Sequence, residues 1–212
     1  MALTGFDPEQ VKTSVDKVIA AYNELINQIG DRVQKGFVNG MADKWACKEA
    51  QIFFNTLKNT VDNLNKEANQ TFQSVVDAMN SAAATWANST GSVYNPVQGS
   101  LRQISINVDN ILENINGVRG IDLQLSSSVS KMLPSIQTEA RLALEHAKHA
   151  VSDCGFVGGN QAENLISSLD TIKNIIDNEF TTITDEAKKA IDDTIAVYSN
   201  VEGKVSQAFL GQ

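Results

Sequence analysis

Proline occurs only three times in 212 residues, at Pro8, Pro96 and Pro134. So few breakers leave room for helices many turns long and argue against a sandwich of short strands, which needs a turn every few residues. Aromatic residues make up 6% of the chain, so any core is aliphatic and thin. Cysteine occurs twice, at Cys47 and Cys154, too few for a disulfide framework and, without histidine help, too few for a zinc site. The only histidines, His146 and His149, stand three apart on one helix and share a face. No further ligand cluster accompanies them, so no metal and no cofactor are assigned. Basic residues are outnumbered 17 to 25, for a net charge of −8. With no basic stripe, the chain is not expected to bind nucleic acid, and its charge repels anionic lipid, so membrane binding is not expected. No run of 18 apolar residues suggests a transmembrane helix, and Met1 to Pro8 lacks the basic and apolar regions of a Sec-type signal peptide. A nucleophile elbow, a P-loop and a His-Glu-x-x-His motif are all missing, so an enzyme is not expected.

What the chain does have is apolar periodicity. Asp7-Pro8-Glu9 opens a helix, with Asp as N-cap and Pro at the first helical position. Val11, Val15, Val18, Tyr22, Leu25, Ile29 and Val33 then alternate four and three apart, a heptad seam. Gly36 and Gly40 mark a turn. A second seam runs from Phe53 through Leu57, Leu64, Ala68, Phe72, Val75 and Met79 to Trp86. Leu101, Ile104, Val108, Ile111 and Ile115 keep the same spacing and read as a shorter connecting helix; Ile104 to Val108 also alternates with period two, a strand pattern outweighed by the seam on both sides. A third long seam spans Leu125 to Val151, with Pro134 either kinking or restarting the helix, and a fourth spans Leu165 to Phe209.

The expected fold is all-α: an elongated bundle of two long antiparallel helical hairpins joined by a shorter connecting helix. The first hairpin covers residues 1–94 with its turn at 36–47, the connector 95–120, and the second hairpin 121–212 with its turn at 153–160. Gly36-Phe37-Val38-Asn39-Gly40 and Gly155-Phe156-Val157-Gly158-Gly159 share four residues in five, which raises the question of internal duplication.

Two motifs carry a resemblance. Lys44-Trp45-Ala46-Cys47 lies in the first turn, with Ala50, Phe53 and Phe54 on the helix that follows, and Tyr198-Ser-Asn-Val-Glu202 lies near the C-terminus. A turn tryptophan in an acidic helical hairpin followed by a Tyr-x-x-x-Asp/Glu element resembles the WXG family of type VII secretion substrates. In that family the turn reads Trp-x-Gly; here Cys47 takes the glycine position, whereas Phe156-Val157-Gly158 keeps the glycine and replaces the tryptophan. On a helix, Tyr198 and Glu202 share a face and form one patch. The resemblance implies a secreted or surface-located bacterial protein, exported without a Sec signal, whose hairpins pair antiparallel as a tandem or fused pair. Trp45, its indole free to be recognised, would then lie beside Tyr198 and Glu202 at one end and form the recognition patch with them. A parallel pairing would instead bring Cys47 and Cys154 together. The implied partners are the secretion-system ATPase or a membrane component, and a toxin or another helical-hairpin protein. Two rival readings are a membrane-acting helical protein, such as a pore-former or lipid-surface binder, and an intracellular coiled-coil scaffold.

Overall fold

The computed structural model describes residues 5–157 and 161–210. Strand β1 (Gly5–Phe6) leads into helix α1 (Pro8–Ile26), whose N-cap Asp7 accepts from the backbone N–H groups of Glu9 and Gln10 at 3.0 and 3.1 Å. The helix continues as a π-helical stretch, Asn27–Val38, and a last turn, α2 (Asn39–Met41). Strand β2 (Trp45–Ala46) precedes α3 (Lys48–Thr90). Strand β3 (Gly120–Ile121) precedes α4 (Leu125–Ser152), and β4 (Phe156–Val157) precedes α5 (Gln161–Leu210). The protein is an all-α elongated bundle, as its seams require.

Each of the four long helices thus begins just after a two-residue strand. Helix α1 neighbours α3 and α4, and α5 neighbours the same two, leaving α1 diagonal to α5 and α3 diagonal to α4. The strands bridge those diagonals: β1 pairs with β4 at one end, and β2 with β3 at the other, both antiparallel. The order strand, helix, strand, helix occurs twice, and exchanging the halves exchanges the two strand pairs. The repeated phrase does not mark this correspondence, however. Gly36 to Gly40 lies within the helix, whereas Gly155 to Val157 forms a turn and a strand. The structural counterpart of Phe156-Val157 is Trp45-Ala46.

Two sequence-based assignments change, and one open alternative is decided. The turn assigned to residues 36–47 begins later, because the helix runs through Gly36 and Gly40 to Met41. Ile29, Val33, Phe37 and Met41 are all buried at a strict four-residue spacing. In an α-helix that spacing slips by about 40° per step; the wider π turn takes up the slip. Of the two alternatives at Pro134, a kink or a restart, the restart does not occur: Pro134 sits inside one helix, Leu125–Ser152.

The second correction is the larger: no connecting helix forms over 95–120. Helix α3 is 43 residues long, about 64 Å, and the chain must return along nearly all of it to reach β3. A helix of twenty-odd residues covers about half that distance, so the segment is extended. Val97 lies against Asn80 and Ile111 against Gln51, so fourteen steps of this strap run beside twenty-nine of α3, about 3 Å per residue. Ile106 and Ile111 are buried, and Leu101, Ile104 and Val108 pack on the core. The strap ends in a tight Asn116–Gly117 turn, both residues at positive φ, bracketed by an Ile115–Val118 bridge.

Candidate functional site

The end of the bundle at the α1–α3 turn gathers most of the expected site residues. Phe37, Trp45, Phe53 and Phe54 form a four-ring cluster, with Trp45 centred 5.7 Å from Phe53 and 5.9 Å from Phe54. Trp45 is completely buried, and its Nε1 finds no hydrogen-bond acceptor among the described residues. The expectation of an indole free to be recognised is therefore corrected. A strand pair covers Trp45 on one side, with Ile121 opposite it, and Phe53 and Phe54 pack around the other, backed by Phe37. It closes the end of the core.

Cys47 is the N-cap of α3 and is buried. Burial, ahead of the neighbouring Glu49, pushes its thiol up from the ordinary value. Cys154 is raised for the same first reason, in the α4–α5 turn. Both thiols are shifted away from the thiolate form that nucleophilic or metal chemistry uses. They are free and sit at opposite ends of the bundle, consistent with antiparallel hairpins.

Beside Cys47, a cleft of about 480 Å³ is lined by Glu49, Glu113, Arg119, Asp193, Val197 and Tyr198 among others. Arg119 and Glu113 pair at 2.6 Å on its wall. Tyr198 is half-buried, and its phenol is pushed up from the ordinary value first by desolvation and then by repulsion from its neighbours, Glu49 among them, with Arg119 opposing. Glu202, one turn further, is exposed. From Val201 onward every described residue of α5 is exposed, so the helix projects past the bundle as a free arm. The fourth seam keeps its spacing there without cover: Val201, Val205 and Phe209 are half to three-quarters exposed.

The turn residues divide. Gly36 and Gly40 are helical. Phe156 is half-buried in β4 opposite Phe6 at the far end, and Gly158 lies outside the described residues. Gly155 is required: its φ is +78°, it accepts from the Asp7 N–H at 3.0 Å, and a Cβ there would meet the Asp7 carbonyl at 3.1 Å. His146 Nδ1 lies 3.1 Å from Glu24 across the α1–α4 contact, and among the described residues no group of three or more metal-ligating side chains gathers.

The sequence reading missed the residues that hold the strap. Asn80 Nδ2 donates to the Val97 carbonyl at 3.0 Å, and its Oδ1 accepts from the Val97 N–H at 3.0 Å and the Tyr94 hydroxyl at 2.7 Å. Gln34 grips Asn107 in the same way, at 3.0 and 2.6 Å. Asn65 donates to the Ile104 carbonyl and Gln51 to that of Ile111, while the Tyr22 hydroxyl takes that of Arg102 and is itself held by Asn69. On α3, the amides of Gln51, Asn65, Asn69 and Asn80 recur at helical spacing along one stripe. That periodicity of amides beside an apolar seam is the signal that could have found them.

No family model matches the chain, and neither a curated protein nor a solved structure matches it.

Proposed function

We propose that the protein is a type VII secretion substrate or targeting partner that acts as a non-enzymatic helical binding protein. One observation carries the reading: Tyr198 lies in the cleft beside Cys47, at the same end as the Trp45 turn. Antiparallel pairing of two hairpins within one chain would produce that juxtaposition. With Trp45 sealed, the readable surface is Tyr198, Glu202 and the arm that follows, and the indole serves to fix the turn against which the phenol rests. The partner is a secretion-system ATPase or membrane component, with a toxin or second helical-hairpin protein as cargo, and the location is the bacterial exterior.

The test is export in a bacterium that carries such a system. Tyr198→Ala and Glu202→Ala are each expected to remove the protein from the culture supernatant while leaving its helical circular dichroism and thermal midpoint unchanged. Secretion of both variants at the level of the parent would sink the reading. The uncovered arm also favours a second reading, attachment to a membrane surface through Val201, Val205 and Phe209. No helix among the described residues is long and apolar enough to cross a membrane. Leakage from dye-loaded liposomes on addition of the intact chain would favour this second reading over the first.

A further inference from the structure

The strap is held as a ligand is held. Among the described residues, no backbone group from Val93 to Asn107 bonds to another backbone group. The bonds its main chain does make run instead to side chains that project from α1, its π-helical continuation and α3. Asn80 and Gln34 each take both the N–H and the carbonyl of one strap residue, ten residues apart. Asn65, Gln51 and Tyr22 take single carbonyls between and beyond them. Most of these bonds read backbone; strap side chains are read by polar contact only where the Tyr94 hydroxyl meets Asn80 and, at the edge, where Arg102 meets Asp31 and Ser105 meets Lys58. Further selection comes from shape. Gly30 leaves the hole that Ile104 fills, since a Cβ there would lie 2.3 Å from Ile104 Cγ2. Gly99 of the strap receives Ile19, at 2.2 Å from its own would-be Cβ. Main-chain bonds for affinity and sockets for alternate side chains are the physical recipe of an extended-polypeptide site.

We propose that the groove between α1 and α3 is a binding site for an extended polypeptide, filled here by the chain's own strap, and that its partner in trans is the strap of a second copy. The second copy is chosen because knob and hole are reciprocal. Every copy carries both Gly30 with Ile19 and Ile104 with Gly99, at the one register where they interlock. Exchange of the strap together with β3, α4 and α5, which follow it, would keep each of these contacts and change only the reversal at Thr90–Ser92, where Gly91 already stands at φ +66°. This inference rests on the strap alone and is independent of the export reading.

In the parent chain the strap competes with any incoming segment at an effective concentration of order millimolar. The test therefore weakens the strap and leaves the groove intact, using the full chain with Ile104→Ser and Ile106→Ser. The probe is a fluorescein-labelled peptide of parent sequence 92–113, followed by anisotropy, with hydrogen exchange reporting release of the strap. The variant is expected to bind the peptide saturably, at least about tenfold more tightly than the parent does. Adding Gln34→Ala and Asn80→Ala should abolish binding with the helices intact. The parent chain, refolded at high concentration, is expected to give a dimer by light scattering that the two clamp substitutions suppress. Strap amides that stay protected in the serine variant, or a released strap without peptide binding, would overturn the proposal. So would binding that survives loss of both clamps. A peptide that binds without any dimer of the parent chain would overturn the choice of a second copy.

Discussion

The two hairpins close their grooves by opposite means. Between α4 and α5, Arg141 pairs with Asp177, Glu145 with Lys173 at 2.8 Å, and Lys148 with Asp170 at 2.8 Å. Each step forward on α4 is matched by an equal step back on α5, so the antiparallel register itself brings opposite charges together. Among the described residues no ion pair joins α1 to α3. Their groove takes in a third element, the strap, and the contact is built mainly from neutral amides, with Arg102–Asp31 and Lys58–Ser105 at its edge. A buried extended chain brings carbonyls and N–H groups that no ladder satisfies, and an unpaired one costs about 1–3 kcal/mol. Asn and Gln can meet both kinds of group at once, which a carboxylate or an ammonium cannot.

The largest test of this contrast is Trp45→Ala. Emptying a fully buried indole site typically costs about 3–5 kcal/mol. The loss should fall on the first hairpin and the strap's exit at β3, lowering the urea midpoint and exposing those amides to exchange. Trp86 is only half-buried and touches Phe6 at 6.3 Å, so Trp86→Ala should cost much less. Equal midpoints for the two variants would mean that the four-ring cluster does not set the strength of that end.

Next in size is Asn80→Ala. It leaves the Tyr94 hydroxyl and both backbone groups of Val97 without their partner, and we expect a loss of about 1–3 kcal/mol. Hydrogen exchange should rise in residues 93–101 and stay unchanged across the α4–α5 contact, and the effect should not depend on salt. Spread of the exchange into α5 would show that the strap is not a separable unit.

The second hairpin should respond to salt and pH instead. Glu145→Gln removes a partner from Lys173 and Lys148, and partly exposed pairs of this kind contribute about 0.2–1 kcal/mol, less at high ionic strength. The bond from Lys173 holds the Glu145 carboxyl below its usual 4.5. Its contribution is complete above that value and disappears as pH falls through the lower folded one. Lys148, raised above 10.5 chiefly by its bond to Asp170, contributes fully below 10.5 and loses its share as pH rises through the folded value. The α4–α5 contact should therefore weaken at both extremes while the Asn80 and Gln34 clamps, which do not titrate, persist. A strap that loosens in acid before α4 and α5 do would reverse the comparison.

These differences track what was legible in the sequence. The four long helices were readable because their seams repeat over many turns, and Val11 to Val33, Phe53 to Met79 and Leu125 to Val151 are buried nearly throughout. The end of the bundle was readable in part: Trp45 and Tyr198 share it, but periodicity carries no information on whether a turn indole faces out or in. The strap was misread because Leu101, Ile104, Val108, Ile111 and Ile115 satisfy a heptad and Ile104, Ile106 and Val108 a period of two. The length of α3 decides between the readings, and that length was already in the sequence. The burial of Asn65 and Asn80 was not, since amides beside an apolar seam look like an ordinary solvated flank until the element they grip is placed.

The smallest expected effect falls where the fourth seam outruns its partners. Ile183, Ala187 and Ile191 are buried against the bundle, yet Val201 and Val205 continue the spacing with about half their surface open to solvent. A stripe with no partner contributes little to folding, so Val201→Ser with Val205→Ser should shift stability by no more than about 0.5 kcal/mol. The same pair on a covered stretch, such as Ile183→Ser with Ala187→Ser, should cost several times as much by thermal denaturation. An arm that merely frays would tolerate the first pair in every assay. An arm kept apolar for an external partner would lose export or membrane attachment with its thermal midpoint intact, and that separation of function from stability is what distinguishes a reserved surface from an idle one.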